Sequence, residues 1–188
     1  MSPQRTTLSK TRFITIASIL TAVAILIPMV MPIKVVVPPA SYTLASHVPV
    51  MMAMFVSPAL AAVVALGSAL GFQLAGFPII IVMRALSHVI FAFFGAKMLE
   101  NHPHWLASVT RHLSYSFIIN LIHAVGEMMI VYVFMAMGAS QSDNAMYMIF
   151  VLVGLGTLIH GMVDFLLSLY LTKALPHRTR AAIFPAVL

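Results

Sequence analysis

The chain has 188 residues, 62% of them hydrophobic and only 7% charged, with a formal net charge of +6 and no cysteine. A soluble domain carries roughly 25% charged residues, so this composition describes an integral membrane protein; its basic excess is a helix-end signal and not a nucleic-acid one. Without cysteine, a disulfide framework, a thiolate nucleophile and a cysteine-ligated metal are excluded.

The apolar runs are long and unbroken, which points to an all-α bundle and away from a β-barrel. A short basic stretch, Met1 to Arg12, precedes the first run, Phe13 to about Val30. That run is read as a retained first span, not a cleaved signal peptide. It carries two small-residue pairs at i, i+4 spacing, Ser18 with Ala22 and Ala17 with Thr21. Small residues let another helix approach closely, so this face is a candidate docking surface.

Met31 to Ser41 (MPIKVVVPPAS) is a connection: Pro32, Pro38 and Pro39 break helix, and Val35 to Val37 favour extended backbone. It reads equally as a lid or as a stiff connector. A short second span covers about 42–56, with Pro49 as a candidate kink and His47 about one turn in from its outer end. Ser57-Pro58 opens the third span, about 59–76, where Ala61, Ala65, Gly67, Ala69 and Gly71 permit close packing. The fourth span is about 77–96. A polar loop, Lys97 to Ser114, leads to the fifth, about 115–137, and the loop Gly138 to Asn144 leads to the sixth, about 145–172. His102, His104 and His112 in the first of these loops show no metal-ligand spacing.

The expected architecture is therefore one domain over 1–188, a bundle of six transmembrane helices. An even number of spans puts both termini on one side. That side receives Arg5, Lys10, Arg12, Lys97, Arg111, Lys173, Arg178 and Arg180, and the other receives Lys34, so both termini are expected to be cytoplasmic. A multi-pass protein of the cell membrane follows.

Three spans carry polar pairs at i, i+4: Arg84 with His88, His123 with Glu127, and His160 with Asp164. Each pair shares one helix face, and three in a small bundle imply a common polar interior. Counting from the expected outer ends, Arg84 lies roughly 10 Å deep, His88 and Glu127 roughly 15 Å, and His123 and His160 roughly 21 Å. Matching depths predict a His88–Glu127 contact and His123 near His160. His47, Gln73, Arg84 and Tyr132, with Tyr147 and Asn144 nearer the surface, form an outer group of donors, acceptors and aromatic faces. Such a set suits a small, flat, polar ligand. Arg84 is suited to a carboxylate or phenolate and Glu127 to a ring N–H or hydroxyl. His160 and Asp164 are read as joining helices.

No enzyme motif appears. Ser68 in GSALG does not match G-x-S-x-G. His123, Glu127, His160 and Asp164 could hold zinc through their spacing, but H-E-x-x-H is absent; neither a metal nor a cofactor is expected. A proton- or cation-coupled carrier acting alone is the alternative, since His, Asp and Glu chains suit proton relays.

Six short spans, a small-residue face on the first helix, a Pro-containing first loop and a basic cytoplasmic rim together resemble the S component of an energy-coupling factor (ECF) vitamin transporter. The likeness is marked over Val35 to Ala96, from VVVPPASYTLASHVPV to VMRALSHVIFAFFGA. The resemblance implies that the chain binds one vitamin from outside, with the first loop helping to close the site. It implies partners as well: a membrane T component and two cytoplasmic ATPase subunits. The family's first-helix Ala-x-x-x-Ala motif, which packs on the T component, reads Ser18-Ile-Leu-Thr-Ala22 here. The absence of G-x-x-x-x-G-K-[ST] agrees with ATP hydrolysis elsewhere. Pyridoxine, the hydroxymethylpyrimidine precursor of thiamine and nicotinate all fit the inferred site. The first two are favoured, because Glu127 would oppose an anion.

Overall fold

Serine caps set where several helices begin. Ser9, Ser57 and Ser108 each accept a backbone N–H three residues on, from Arg12, Leu60 and Arg111. Each satisfies a donor that a helix N-terminus leaves open. These caps start α1 (Lys10–Val30), α3 (Pro58–Leu74) and α5 (Val109–Ala136). The computed structural model describes residues 9–138, 144–184 and 187. Between α1 and α3 lie a hairpin, β1 (Lys34–Val37) and β2 (Ala40–Thr43), and the short helix α2 (Val48–Met54). Helix α4 (Ile79–Asn101) and a 3-10 turn (Pro103–Leu106) precede α5. A π-helical stretch (Tyr147–Leu155) then runs directly into α6 (Gly156–Ala174), and α7 (His177–Ile183) follows.

Among the described residues, four helical segments are long and apolar enough to cross a membrane: Lys10–Val30, Ile79–Asn101, Val109–Ala136 and Tyr147–Ala174. Helix α3 is apolar and shorter, at 17 residues. Their outward faces carry large apolar side chains, among them Ile14, Leu66, Phe94 and Leu121. This is a multi-pass membrane protein with a predominantly helical fold.

The segment expected as a second span departs from helix over most of its length. Tyr42 and Thr43 belong to β2, residues 44–47 form turns, and helix covers only Val48–Met54. Pro49 sits in the first turn of α2, where its missing N–H costs nothing, and does not kink it. A seven-residue helix is not stable by itself. This one persists because Val50, Met51, Ala53, Met54 and Phe55 are fully enclosed by the longer helices. The connection at 31–41 is mostly hairpin: Val35 pairs with Tyr42 and Val36 with Ser41, and Pro38 and Pro39 form the turn. The long loop expected at 97–114 shrinks to 102–108, because α4 runs on to Asn101 and α5 starts at Val109. Arg5 and residues 139–143 of the next loop lie outside the described residues.

Small residues fix how closely α1 and α3 approach. A Cβ at Gly71 would lie 2.6 Å from the Cα of Ile25 and 2.8 Å from its carbonyl oxygen. Those are backbone atoms and cannot rotate away. One face of α1 is used here: Ala17 is buried, and Thr21 packs where a Cβ of Gly67 would stand. Ser18 and Ala22 face outward. Of the two pairs considered for docking, Ala17/Thr21 is taken up inside the fold and Ser18/Ala22 stays open.

Gly71→Ala should therefore force the two helices apart and cost about 1–3 kcal/mol. At Gly126 the nearest atom to an added Cβ is 3.6 Å away. Thermal unfolding in detergent should show a clear fall in Tm for Gly71→Ala and little change for Gly126→Ala.

Candidate functional site

Glu127, on the inward face of α5, binds three side chains from two other helices, α4 and α6. Its Oε2 accepts from Arg84 Nη2 at 2.7 Å and from the Thr157 hydroxyl of α6. Its Oε1 accepts from His88 Nε2 at 3.0 Å. His123 Nε2, one turn back on α5, stands 3.4 Å from that oxygen and is not hydrogen bonded to it. Arg84 and Glu127 are 3% and 4% exposed, so their charges face each other away from solvent. Such a pair persists when its hydrogen bonds are filled. Arg84 meets this only in part: Nη1 donates to the Pro39 carbonyl at 2.6 Å, and Nε has no partner.

Asp164, wholly buried on α6, makes the second centre. Its carboxylate accepts from the backbone N–H of Ala45 at 2.9 Å and of His47 at 3.0 Å, and from His47 Nδ1 at 3.0 Å. His160 Nε2 lies 3.5 Å away. These bonds hold the turn before α2, where Ala45 adopts a left-handed φ of 65°. That conformation is costly for a residue with a Cβ, and the two backbone bonds to Asp164 offset the cost. His47 is thereby placed with its ring centroid 4.7 Å from those of both His88 and His123 and 5.0 Å from that of His160.

The hairpin lies over this polar cluster. Ala40 and Tyr42 rest on Val131, Ile149 and Val153. The Tyr42 hydroxyl donates to the carbonyl of Leu152 in the π-helical stretch. Gly156 makes room for that ring, since a Cβ there would collide with the Tyr42 hydroxyl. Beneath lies a polar cavity of about 10 Å³, close to the size of one water, lined by Tyr42, Ser46, His47, Arg84, His88, Glu127, Thr157 and His160 among others. The site is closed.

Of the expected site residues, Arg84, His88, Glu127 and His47 come together. Gln73 is exposed at the end of α3, and Asn144 is exposed before the π-helical stretch. Tyr132 and Tyr147 are 59% and 55% exposed. Tyr132 lies with Met128 and Met129 on an outward apolar face of α5 and not in the cavity. All four side chains face outward. The His88–Glu127 contact is present. His123 and His160 both pack on His47, which the expectation had placed nearer the surface. Asp164 joins α6 to a turn, not to another helix. Tyr42, Ser46 and Thr157 were missed. For Thr157 a signal existed: Thr157, His160 and Asp164 continue one helix face at i, i+3 and i+7.

Removing either carboxylate should destabilise the fold. Glu127→Ala would strand the Arg84 guanidinium, and Asp164→Ala would strand the buried N–H of His47 and the half-buried N–H of Ala45; each should cost about 3–5 kcal/mol. Urea or thermal unfolding should show both losses, and a Glu100→Ala control at the exposed Lys97–Glu100 pair should change little.

No family model matches the chain. No solved structure matches it. The chain is 42% identical over 173 residues to the niacin transporter NiaX of Lactococcus lactis subsp. cremoris (strain MG1363), a match covering 89% of this chain and 78% of that protein. The likeness spans both polar centres and the hairpin over them, and it places this chain in the same family, the S components of energy-coupling factor vitamin transporters.

Proposed function

We propose that this protein captures niacin, as the nicotinate anion, from outside the cell for ATP-driven uptake. The observation that carries this reading is Arg84: a buried guanidinium lines the closed polar cavity with its Nε still unpartnered. A planar carboxylate is its natural complement. The name of the NiaX relative supports the same ligand. The preference for pyridoxine or hydroxymethylpyrimidine rested on Glu127 opposing an anion. That objection weakens once Glu127 is neutralised by Arg84 at 2.7 Å. The histidine rings and Tyr42 supply faces for a flat heteroaromatic ring.

Ligand sites are usually roughly 300 Å³ or larger, so the cavity must open to admit the vitamin. The hairpin is the part to move, breaking the Arg84–Pro39 and Tyr42–Leu152 bonds. Six crossings, with both termini cytoplasmic, fit this reading. The turn at 44–47 and α2 together make the second crossing, and their non-helical backbone is tolerable because it is buried in protein. Ser18 and Ala22 form the open face offered to a T component, which with two ATPases would supply the energy.

Calorimetry on detergent-purified protein, stripped of metal with a chelator, tests the ligand. Nicotinate should bind at least ~10-fold more tightly than neutral nicotinamide, pyridoxine or hydroxymethylpyrimidine. Arg84→Ala, if still folded by circular dichroism, should weaken nicotinate by roughly 30-fold or more. Equal binding of nicotinate and nicotinamide, or an unaffected Arg84→Ala, would sink the proposal. Ser18→Leu with Ala22→Leu should abolish co-purification of the T component from native membranes while vitamin affinity stays unchanged. Retained co-purification would move the docking face elsewhere.

A further inference from the structure

We propose that His47, His88 and His123 form a binding site for one divalent first-row metal ion of the zinc class, beside the vitamin cavity. Each offers one ring nitrogen, and the three nitrogens lie within 4.8 Å of one another. The rings come from three separate elements: the turn before α2, α4 and α5. Their centroids form a triangle with every side 4.7 Å. Three imidazoles around a tetrahedral ion, with metal–nitrogen bonds of about 2.0–2.1 Å, would set their centroids about 5 Å apart. The centroids therefore already stand close to the spacing such a site needs.

The groups behind the histidines fit the same role. His47 donates Nδ1–H to Asp164 and His88 donates Nε2–H to Glu127. A carboxylate behind each imidazole fixes its tautomer and leaves the opposite nitrogen as a free lone pair, the arrangement metal-ligating histidines favour. His88 Nδ1 and both ring nitrogens of His123 are buried without a hydrogen-bond partner. Unpaired buried nitrogens are costly, and an ion would satisfy His88 Nδ1 and one nitrogen of His123.

Charge balance points the same way. Arg84 and Glu127 cancel, which leaves Asp164 wholly buried with no Lys or Arg partner among the described residues. A proton on His47 would balance that charge but leave His88 Nδ1 and His123 unpaired. A divalent ion does both and gives the cluster a net positive charge beside the vitamin cavity, which His47 and His88 help to line. Sequence spacing hid this site, because no two of the three share a helix.

The test needs no vitamin. Protein carrying a purification tag without histidine is titrated with Co2+ and followed by visible absorption, then by displacement with Zn2+. One equivalent per chain, with the intense bands of four-coordinate cobalt, is expected. His88→Ala and His123→Ala, if folded by circular dichroism, should lose the bands, and Zn2+ should raise the Tm of the starting protein but not of these variants. A His102→Ala/His104→Ala variant, altered at the neighbouring pair outside the cluster, should bind unchanged. No stoichiometric binding by folded protein, or binding that survives His88→Ala and His123→Ala, overturns the proposal and leaves a proton or a water at the cluster. Nicotinate affinity of the metal-stripped protein is a separate measurement, so either reading can fail without the other.

Discussion

The Asp164 carboxylate is the constraint on which the rest of the interior depends. The chain enters the helical bundle at residues 44–47 without helical hydrogen bonding, and a backbone that does so must have its N–H groups satisfied by something else. Asp164 accepts from two of them and from the His47 ring. With the turn held, α2 can be short and central, and its apolar side chains become the middle of the core. The same turn carries His47 inward and makes it the hub of the ring contacts. One acidic side chain on α6 thus fixes both a structural entry and a chemical centre.

Above that anchor, the cavity is closed by polar bonds more than by apolar burial. Strand β1 is exposed along its whole length, and β2 contacts the bundle mainly through Ala40 and Tyr42. The Arg84–Pro39 bond ties the hairpin turn to the cation beneath it. A closure built from a few hydrogen bonds over a polar floor can exchange them for bonds to a ligand, which a greasy seal could not do at similar cost. Arg84 has two parts in this arrangement: Nη1 bonds the hairpin turn, and Nε is a donor that no protein group uses. The small-residue contact between α1 and α3 is a different kind of feature. It is rigid, and it leaves Ser18 and Ala22 on the other face of α1 exposed.

Polar residues inside apolar spans were legible as a site because the membrane makes them expensive. His88 and Glu127 could be placed together from depth alone, since helix rise converts residue count into distance; Arg84, read as shallower, shares the same carboxylate. Depth could not supply rotation about the helix axis, and that is where Gln73, Tyr132 and Tyr147 were misplaced. An exposed tyrosine and a buried one at the same depth differ by part of a turn, and an apolar helix gives weak guidance on which face is inside. His47 lies deeper than expected for another reason: its position rests on a non-helical turn whose geometry is set by Asp164, 117 residues away in the chain.

By itself, then, the sequence determined a helical membrane protein, the polar stripes on the helices that are α4, α5 and α6, and a proline-bounded extended segment after the first long helix. These are local properties: hydropathy, i, i+4 spacing and backbone preference are written within a few residues. Tertiary structure alone decided that the segment 42–56 divides into strand, turn and a seven-residue helix, and that three histidines meet around His47. It also decided that the hairpin closes over Arg84. Each of those depends on hydrogen bonds between residues far apart in the chain, and the partner that satisfies a buried group cannot be read from the group's own neighbourhood.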